Sequence, residues 1–469
     1  MDLYDLIVIG AGPVGENVAD YAAKRGLSVA IVEEELVGGE CSYWACMPSK
    51  ALLRSGHALA AAQRVGGAAQ VVGSRVDAAA VLERRTSFAA NWDDASQVDW
   101  LGSAGIDLIR GHGRLVGVRA VEVGGTRYRA RAAVAVATGS VPVLPDIPGL
   151  ADAQPWSTRE ATSAKSIPAS LAVIGGGVAA VELATAYARL GASVTLLARS
   201  GLLSGQEPFA GEAVAGALRA LGVDVRLGVQ PVRVDRSGPD GPVALELPDG
   251  PAVVASEVLV ATGRTARTAD LGLDAVGLTA NAPLDVDDTM LVRGTDWLYG
   301  VGDVNHRALL THQGKYQARA AGEAIAARYL GTAVRDAPWG AHVATADHAA
   351  VPQVIFTDPE VARVGLTEAE ARSAGFEVRA VEYDLGWVAG ASLQADGYQG
   401  RAKMVVDERR KVVVGVTFVG QDVAELVHAA TIAVVGEVTL ERLWHAVPAY
   451  PTMSEIWLRL LEAYGRPAV

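Results

Sequence analysis

The chain has only two cysteines, Cys41 and Cys46, in 469 residues. So few in so long a chain exclude a disulfide-stapled scaffold. They also leave no cysteine cluster for zinc, which takes about four ligands. Long apolar runs are missing, and none reaches the ~18 residues of a membrane span. Positive charge is short: 41 Lys and Arg stand against 53 Asp and Glu, a net charge of −12. That argues against a general nucleic-acid or anionic-membrane surface. The first residues, MDLYDLIVIG, carry acids where a secretory signal needs bases and pass straight into a strand, so a cytoplasmic protein is expected. Length and an ordinary 50% hydrophobic content allow two to four domains with sizeable cores. A close cysteine pair in a reducing compartment is left with three readings: redox-active, metal-binding or inert.

What is present is a nucleotide-binding pattern, twice. Residues 6–15 read LIVIGAGPVG, an apolar strand running into Gly10, Gly12 and Gly15. The spacing predicts an amphipathic helix over about Val14–Arg25 and then a strand, SVAIVEEE, carrying Glu33. In such a unit the glycines allow a tight turn and close approach to a pyrophosphate, and the acid takes a ribose hydroxyl. Strand, helix and acid together make the motif specific, where glycines alone would not. Residues 171–180, LAVIGGGVAA, put Gly175, Gly177 and Ala180 in the same slots, followed by a helix through Glu182 and Tyr187 and a strand, SVTLLARS. The position equivalent to Glu33 holds Ala198, followed by Arg199. Loss of the acid and gain of an arginine suit a 2′-phosphate, which assigns NADP(H) to this module; a single arginine leaves NADH use open. Each module closes on an apolar strand ending in Ala-Thr-Gly: VAVATGS, with Thr138 and Gly139, and VLVATGR, with Gly263. A third such strand, in DWLYGVGDVNH, ends at Asp303, placed to take a polyol hydroxyl.

The cysteines lie in GGECSYWACMPSKALLR. Five positions in a regular helix mean about 7.5 Å of rise with side chains diverging. A disulfide needs Cα atoms about 4.4–6.8 Å apart. The segment therefore cannot be continuous helix if the pair is to bond. Pro48 fits a first helical turn, so a helix is expected to start near Cys46, with Cys41 on an irregular or distorted lead-in. A thiol at a helix start has its thiolate stabilised, and Lys50, four residues on, shares its face.

Two dinucleotide modules, two Ala-Thr-Gly segments, a Gly-Asp segment and a C-x4-C pair followed by PSK resemble the FAD-dependent pyridine nucleotide-disulfide oxidoreductases. That class I group includes dihydrolipoyl dehydrogenase, glutathione reductase and mercuric reductase. The resemblance extends to VPQVIFTDPEVARVGLTE at 351–368 and to YPTMSE at 450–455, covering essentially the whole chain. It implies two Rossmann-like α/β domains plus an α+β dimerisation domain. The FAD-binding and central domain would span 1–149 and 266–335, the NAD(P) domain 150–265 and the interface domain 345–469. It implies FAD on Gly10, Gly12, Gly15, Glu33, Thr138, Gly139 and Asp303, and NADPH on Gly175, Gly177, Ala180, Arg199 and Gly263. It also implies a flavin-proximal Cys46, an interchange thiol Cys41, and Lys50 beside the flavin, paired with Glu182. No metal is expected.

The family carries H-P-T-x-S-E where this chain has Tyr450-Pro451-Thr452-Met453-Ser454-Glu455. In those enzymes the segment comes from the other subunit, so a homodimer with a shared site is expected. Histidine exchanges protons near neutrality, whereas tyrosine, with a pKa of about 10, stays protonated. Tyr450 can donate a hydrogen bond but is a poor thiol base, and Glu455 loses its usual partner. His445 is an alternative base or a structural residue. Tyr43 and Trp44, between the cysteines, read equally as packing residues or as walls of an acceptor cleft. Mercuric reductases share a tyrosine here but deliver metal through a second cysteine pair, and this chain ends AYGRPAV without one. The expected function is NADPH-to-FAD-to-dithiol electron transfer to a small-molecule disulfide or other acceptor. The competing readings are a quinone or metal-ion reductase and a redox-sensing or complex-bound flavoprotein.

Overall fold

The computed structural model describes residues 2–466. The chain divides into two compact units: 1–48, 86–143 and 263–347 in the first, and 49–85, 144–262 and 348–469 in the second.

The first unit is built on a parallel sheet. The strands Ile106–Arg110, Val29–Glu33, Asp2–Ile9, Thr126–Val136 and Leu298–Gly300 lie side by side in that order. Residues 6–9, 29–32 and 132–136 are continuous apolar runs rather than alternating ones, as burial on both faces requires. Leu6, Ile7, Val8, Val134 and Val136 have no exposed surface. Two antiparallel strands, Gly113–Gly117 and Ala120–Val123, extend the sheet beyond Thr126–Val136. The helices Pro13–Ala23 and Thr311–Tyr329 pack closely because glycines face the first helix: a Cβ on Gly314 would lie 2.5 Å from Val14 Cγ2. The first helix starts one residue and ends two residues earlier than the spacing predicted, and its strand partner is shorter at both ends.

The second unit repeats the parallel arrangement with strands Asp224–Leu227, Ser193–Ala198, Ser170–Ile174 and Glu257–Val260. The helix Val178–Arg189 follows the glycine-bearing turn. Near the C-terminus, strands Gln353–Ile355, Glu360–Gly365, Val412–Gly420, Arg401–Asp407 and Val378–Asp384 form an antiparallel sheet in that spatial order. The helices Val427–Val435 and Ile456–Tyr464 pack against it. Arg64 holds the Asp358 carboxylate with two hydrogen bonds of 2.8 and 2.6 Å, and Arg189 joins them. This expected α/β architecture, with its α+β C-terminal sheet, is what the structure contains. No described helix is long and apolar enough to cross a membrane.

The buried Asp5 in the first strand of the first unit tests this packing. Burial pushes its carboxyl up, but hydrogen bonds from the Ser28 N–H, Tyr329, Arg131 and the Ser28 hydroxyl outweigh that and hold it at about 2. A folded-state pKa below the unfolded value stabilises above the unfolded pKa, and that stability is lost as pH falls through about 4 towards 2. Asp5→Asn is expected to cost about 1–2 kcal/mol at neutral pH. In denaturant titrations the gap from wild type should narrow below about pH 4 and close near pH 2.

Candidate active site

The segment around the cysteines begins with Gly38 and Gly39 at φ of +109° and +55°, a left-handed pair that turns the chain sharply. Gly38 N–H donates to the Ala11 carbonyl at 2.7 Å, and a Cβ on Gly39 would lie 2.8 Å from Gly12 Cα. The turn therefore sits against the first glycine motif. A one-turn helix, Gly39–Tyr43, then carries Cys41, a short distorted lead-in that is not continuous with the next helix. It ends at Trp44, whose φ of −136° and ψ of −2° break the helix. The next helix, Cys46–Gln63, starts at Cys46 as anticipated, and the unit division falls within it, between Pro48 and Ser49.

The break brings the thiols together. Both cysteines are half-buried and reduced. The hydrogen-bonding interaction with Cys46, burial and the neighbouring Cys46 charge push the Cys41 thiol up. Thr311 Oγ1 lies 3.3 Å from Cys46 Sγ and also bonds to Cys41. Thr311 opens a 19-residue helix whose first N–H groups have no side-chain cap. Such an N-terminus favours negative charge. A thiolate on Cys46 is thus supported from two sides.

Tyr43 is a packing residue and not a cleft wall. It is 1% exposed, donates to the Val37 carbonyl at 3.0 Å and bonds to Gln97, while its own carbonyl accepts from Trp92 Nε1 at 3.1 Å. Trp44 is half-buried against the Tyr43 ring, with centroids 5.6 Å apart.

FAD is not part of the structure, but the residues present fit it. Gly10 has φ +100°, and a Cβ there would lie 2.5 Å from the Ala137 carbonyl oxygen; at Gly15 it would lie 1.8 Å from the Gly10 oxygen. This backbone is bare where a pyrophosphate needs close approach. Glu33, pushed up by burial, accepts from Ala11 N–H and Glu35 N–H, which holds its carboxylate at the strand end. Asp303, also raised by burial, accepts from the Ser140 hydroxyl at 2.6 Å. Arg264 donates to Ser140 Oγ at 2.7 Å and to Glu40, next to Cys41, at 2.8 Å. Thr138 donates to the Arg267 carbonyl at 2.8 Å, and Gly139 adopts φ +75°. Arg264, Ser140, Glu40 and Thr311 were missed by sequence reasoning; Arg264 and Ser140 were signalled only as the residues following the two Ala-Thr-Gly strings.

The second unit holds the other half of the predicted set. Lys50 Nζ lies 2.7 Å from Glu182 Oε2, and Glu182 is 3% exposed. The other Glu182 oxygen accepts from Phe356 N–H at 2.9 Å, and the Phe356 ring lies under the ammonium, 5.1 Å from its centroid. In the sequence Phe356 stands out only as one residue of the family-like string 351–368. Gly175 repeats the geometry of Gly10: φ +139°, with a Cβ 2.3 Å from the Ala261 oxygen. Gly177 opens the helix on free space, Ala180 is buried, and Arg199 is exposed just past its strand. Gly263, at φ +129°, begins the return of the chain to the first unit. Glu455 is buried with Oε2 lacking a hydrogen bond and Arg459 3.9 Å from Oε1. Tyr450 is 77% exposed on the single chain, as is much of Val447 and Ile432, and His445 is exposed too. Among the described residues there is no group of His, Cys, Asp or Glu arranged to hold a metal.

Two dinucleotide-binding sheets and a dithiol at a helix start define an oxidoreductase of the class that acts on sulfur groups. The family model for pyridine nucleotide-disulphide oxidoreductase matches residues 4–324, and that family's dimerisation domain matches 351–460. The chain belongs to this family, whose members are FAD-dependent and take electrons from NAD(P)H. It is 32% identical to a mercuric reductase of Staphylococcus aureus over 457 residues, 96% of this chain and 81% of that enzyme. It is 33% identical to the dihydrolipoyl dehydrogenase of Thermus scotoductus over 483 residues, covering 100% and 99% of the two chains. Its fold is similar to that of the Cu(II) complex of the HOCl-induced flavoprotein disulfide reductase RclA from Escherichia coli. The TM-score there is 0.84 at 23% identity, over 98% of this chain and 99% of that one. The exposed apolar surface of residues 432–450 fits a homodimer.

Removing the Tyr43 hydroxyl checks its assignment to packing. Tyr43→Phe is expected to lose about 0.5–1.5 kcal/mol of stability, read as a lower denaturation midpoint, with acceptor KM unchanged. A changed KM at unchanged stability would return Tyr43 to the cleft.

Proposed function

We propose that the chain is an NADPH oxidoreductase that passes electrons through FAD to the Cys41–Cys46 pair and from there to a disulfide or another small acceptor. The observation that carries this is the broken helix that holds two thiols in contact at Thr311, in the unit bearing the FAD-type glycine cradle. When bound there, FAD would supply the two-electron chemistry that links the nicotinamide to the disulfide. Gly10, Gly12 and Gly15 admit the pyrophosphate, Glu33 and Asp303 accept from sugar and polyol hydroxyls, and Thr138 and Gly139 line the turn beside them. Arg264 and Ser140 orient Asp303. Cys46 holds the charge left when the disulfide opens, and Cys41, once deprotonated, attacks the external acceptor. Glu182, fixed by Phe356 N–H, pairs with the Lys50 ammonium and holds it in place. In the second module Gly175, Gly177 and Ala180 receive the nicotinamide cofactor's pyrophosphate. Exposed Arg199, beside the apolar Ala198, favours NADPH over NADH. Gly263 would close that site.

The FAD and central domain is taken as 1–149 and 266–335, the NADPH domain as 150–265 and the interface domain as 345–469. The Tyr450–Glu455 segment is read as the part a partner copy contributes. A reducing cytoplasm suits a chain whose only cysteines cycle between thiol and disulfide. The mercuric reductases among the relatives support a metal ion as alternative acceptor. This chain would then have to meet the ion with Cys41 and Cys46 themselves.

Steady-state assays with both nucleotides test the cofactor choice. Arg199→Ala is expected to raise the KM for NADPH about tenfold and leave that for NADH within about twofold. Equal effects on both would remove the 2′-phosphate contact. A screen of small disulfides, quinones and metal ions on wild type and Cys41→Ala tests the relay. Disulfide reduction should vanish in the variant, and an acceptor turned over equally by both proteins would place its reduction at the flavin.

A further inference from the structure

Glu16 stands in the first turn of the helix Pro13–Ala23, half-buried, with Oε1 buried and without a hydrogen-bond partner. Lys315 lies on the helix Thr311–Tyr329, four residues after Thr311 and so on the same face. Thr311 is the residue against Cys46. The close approaches of Gly39 to Gly12 and of Gly314 to Val14 draw three segments together: the turn carrying Cys41, the start of the glycine-motif helix, and the start of the Thr311 helix. The Lys315 ammonium acts on both acids, favouring the thiolate of Cys41 and the carboxylate of Glu16. None of the roles above uses either residue.

We propose that Lys315 is a positioning residue for the Cys41 thiol, and that Glu16 governs how much of the Lys315 charge the thiol receives. The inference rests on reading Cys41 as the attacking thiol and supplies what Tyr450 cannot. Only the thiolate attacks, so a cation beside Cys41 raises its working fraction without a base taking the proton in the same step. When Glu16 is neutral, Lys315 faces Cys41 alone. When Glu16 is ionised, it draws on the same ammonium and offsets its field. Burial pushes Glu16 up to about 7, against the pull of Lys315 and with a further push from Glu33, so this division changes near neutrality. Other ionisable groups at the cluster are Cys46, which raises Cys41, Glu40 with its partner Arg264 beside Cys41, and Tyr43, itself raised by burial, Asp94, Glu16 and Asp93.

The test is the rate at which iodoacetamide alkylates Cys41, followed by peptide mass spectrometry across pH in dithiothreitol-reduced, FAD-loaded protein. Lys315→Met is expected to slow alkylation about tenfold at neutral pH, while Lys315→Arg stays within about twofold of wild type. Glu16→Gln is expected to speed it above about pH 7, and to do nothing when Lys315 is already Met. Wild-type rates in Lys315→Met, or a Glu16→Gln effect that persists without Lys315, would overturn the proposal. Cys46 reacting faster than Cys41 in the unsubstituted protein would instead overturn the assignment of Cys41 as the attacking thiol, so the two failures read differently.

Discussion

The helix break at Trp44 is the constraint on which the redox site depends. Two cysteines five positions apart diverge on a continuous helix. By ending one turn at Tyr43 and starting another at Cys46, the chain folds the first thiol back onto the second. The break needs support on both sides. Gly38 and Gly39 supply the left-handed turn before it, and buried Tyr43 pins the short helix to Val37 and Gln97. Thr311 then meets both sulfurs from a separate helix start.

Around that point the first unit joins charge and sheet geometry. The glycine turn that approaches Ala137 is also the surface on which Gly38 and Gly39 rest. Arg264 connects Glu40, next to Cys41, through Ser140 to Asp303. In the second unit the same economy appears at Glu182, whose two oxygens are used by Lys50 and by Phe356 N–H. Two arginines on Asp358 brace the helices that carry Lys50 and Glu182.

Most of the fold was legible because residues 6–9 and 171–174 are apolar runs that end on glycine motifs, a pattern that both sheets repeat. The start of the second cysteine helix was legible from Pro48 and the reach of a disulfide. The helical turn around Cys41 was not, because it is held by Gly12 and Gln97, which are distant in sequence. Tyr43 could not be assigned from its neighbours, since its burial is set by Val37, Gln97 and Trp92. Phe356 was invisible as a site residue for a different reason: its hydrogen bond to Glu182 comes from the backbone, which every residue but proline offers. Glu16 and Lys315 carry no motif at all, and only the packing of their two helices brings them into one cluster.

The central claim is that the nicotinamide's electrons reach Cys41 and Cys46. Anaerobic addition of one equivalent of NADPH to the oxidised, FAD-loaded protein, followed by acid quench and isotopic thiol labelling, tests it directly. The account predicts two newly labelled thiols per chain, at Cys41 and Cys46, with neither labelled before the addition. Bleaching of the flavin with no new thiol would contradict it.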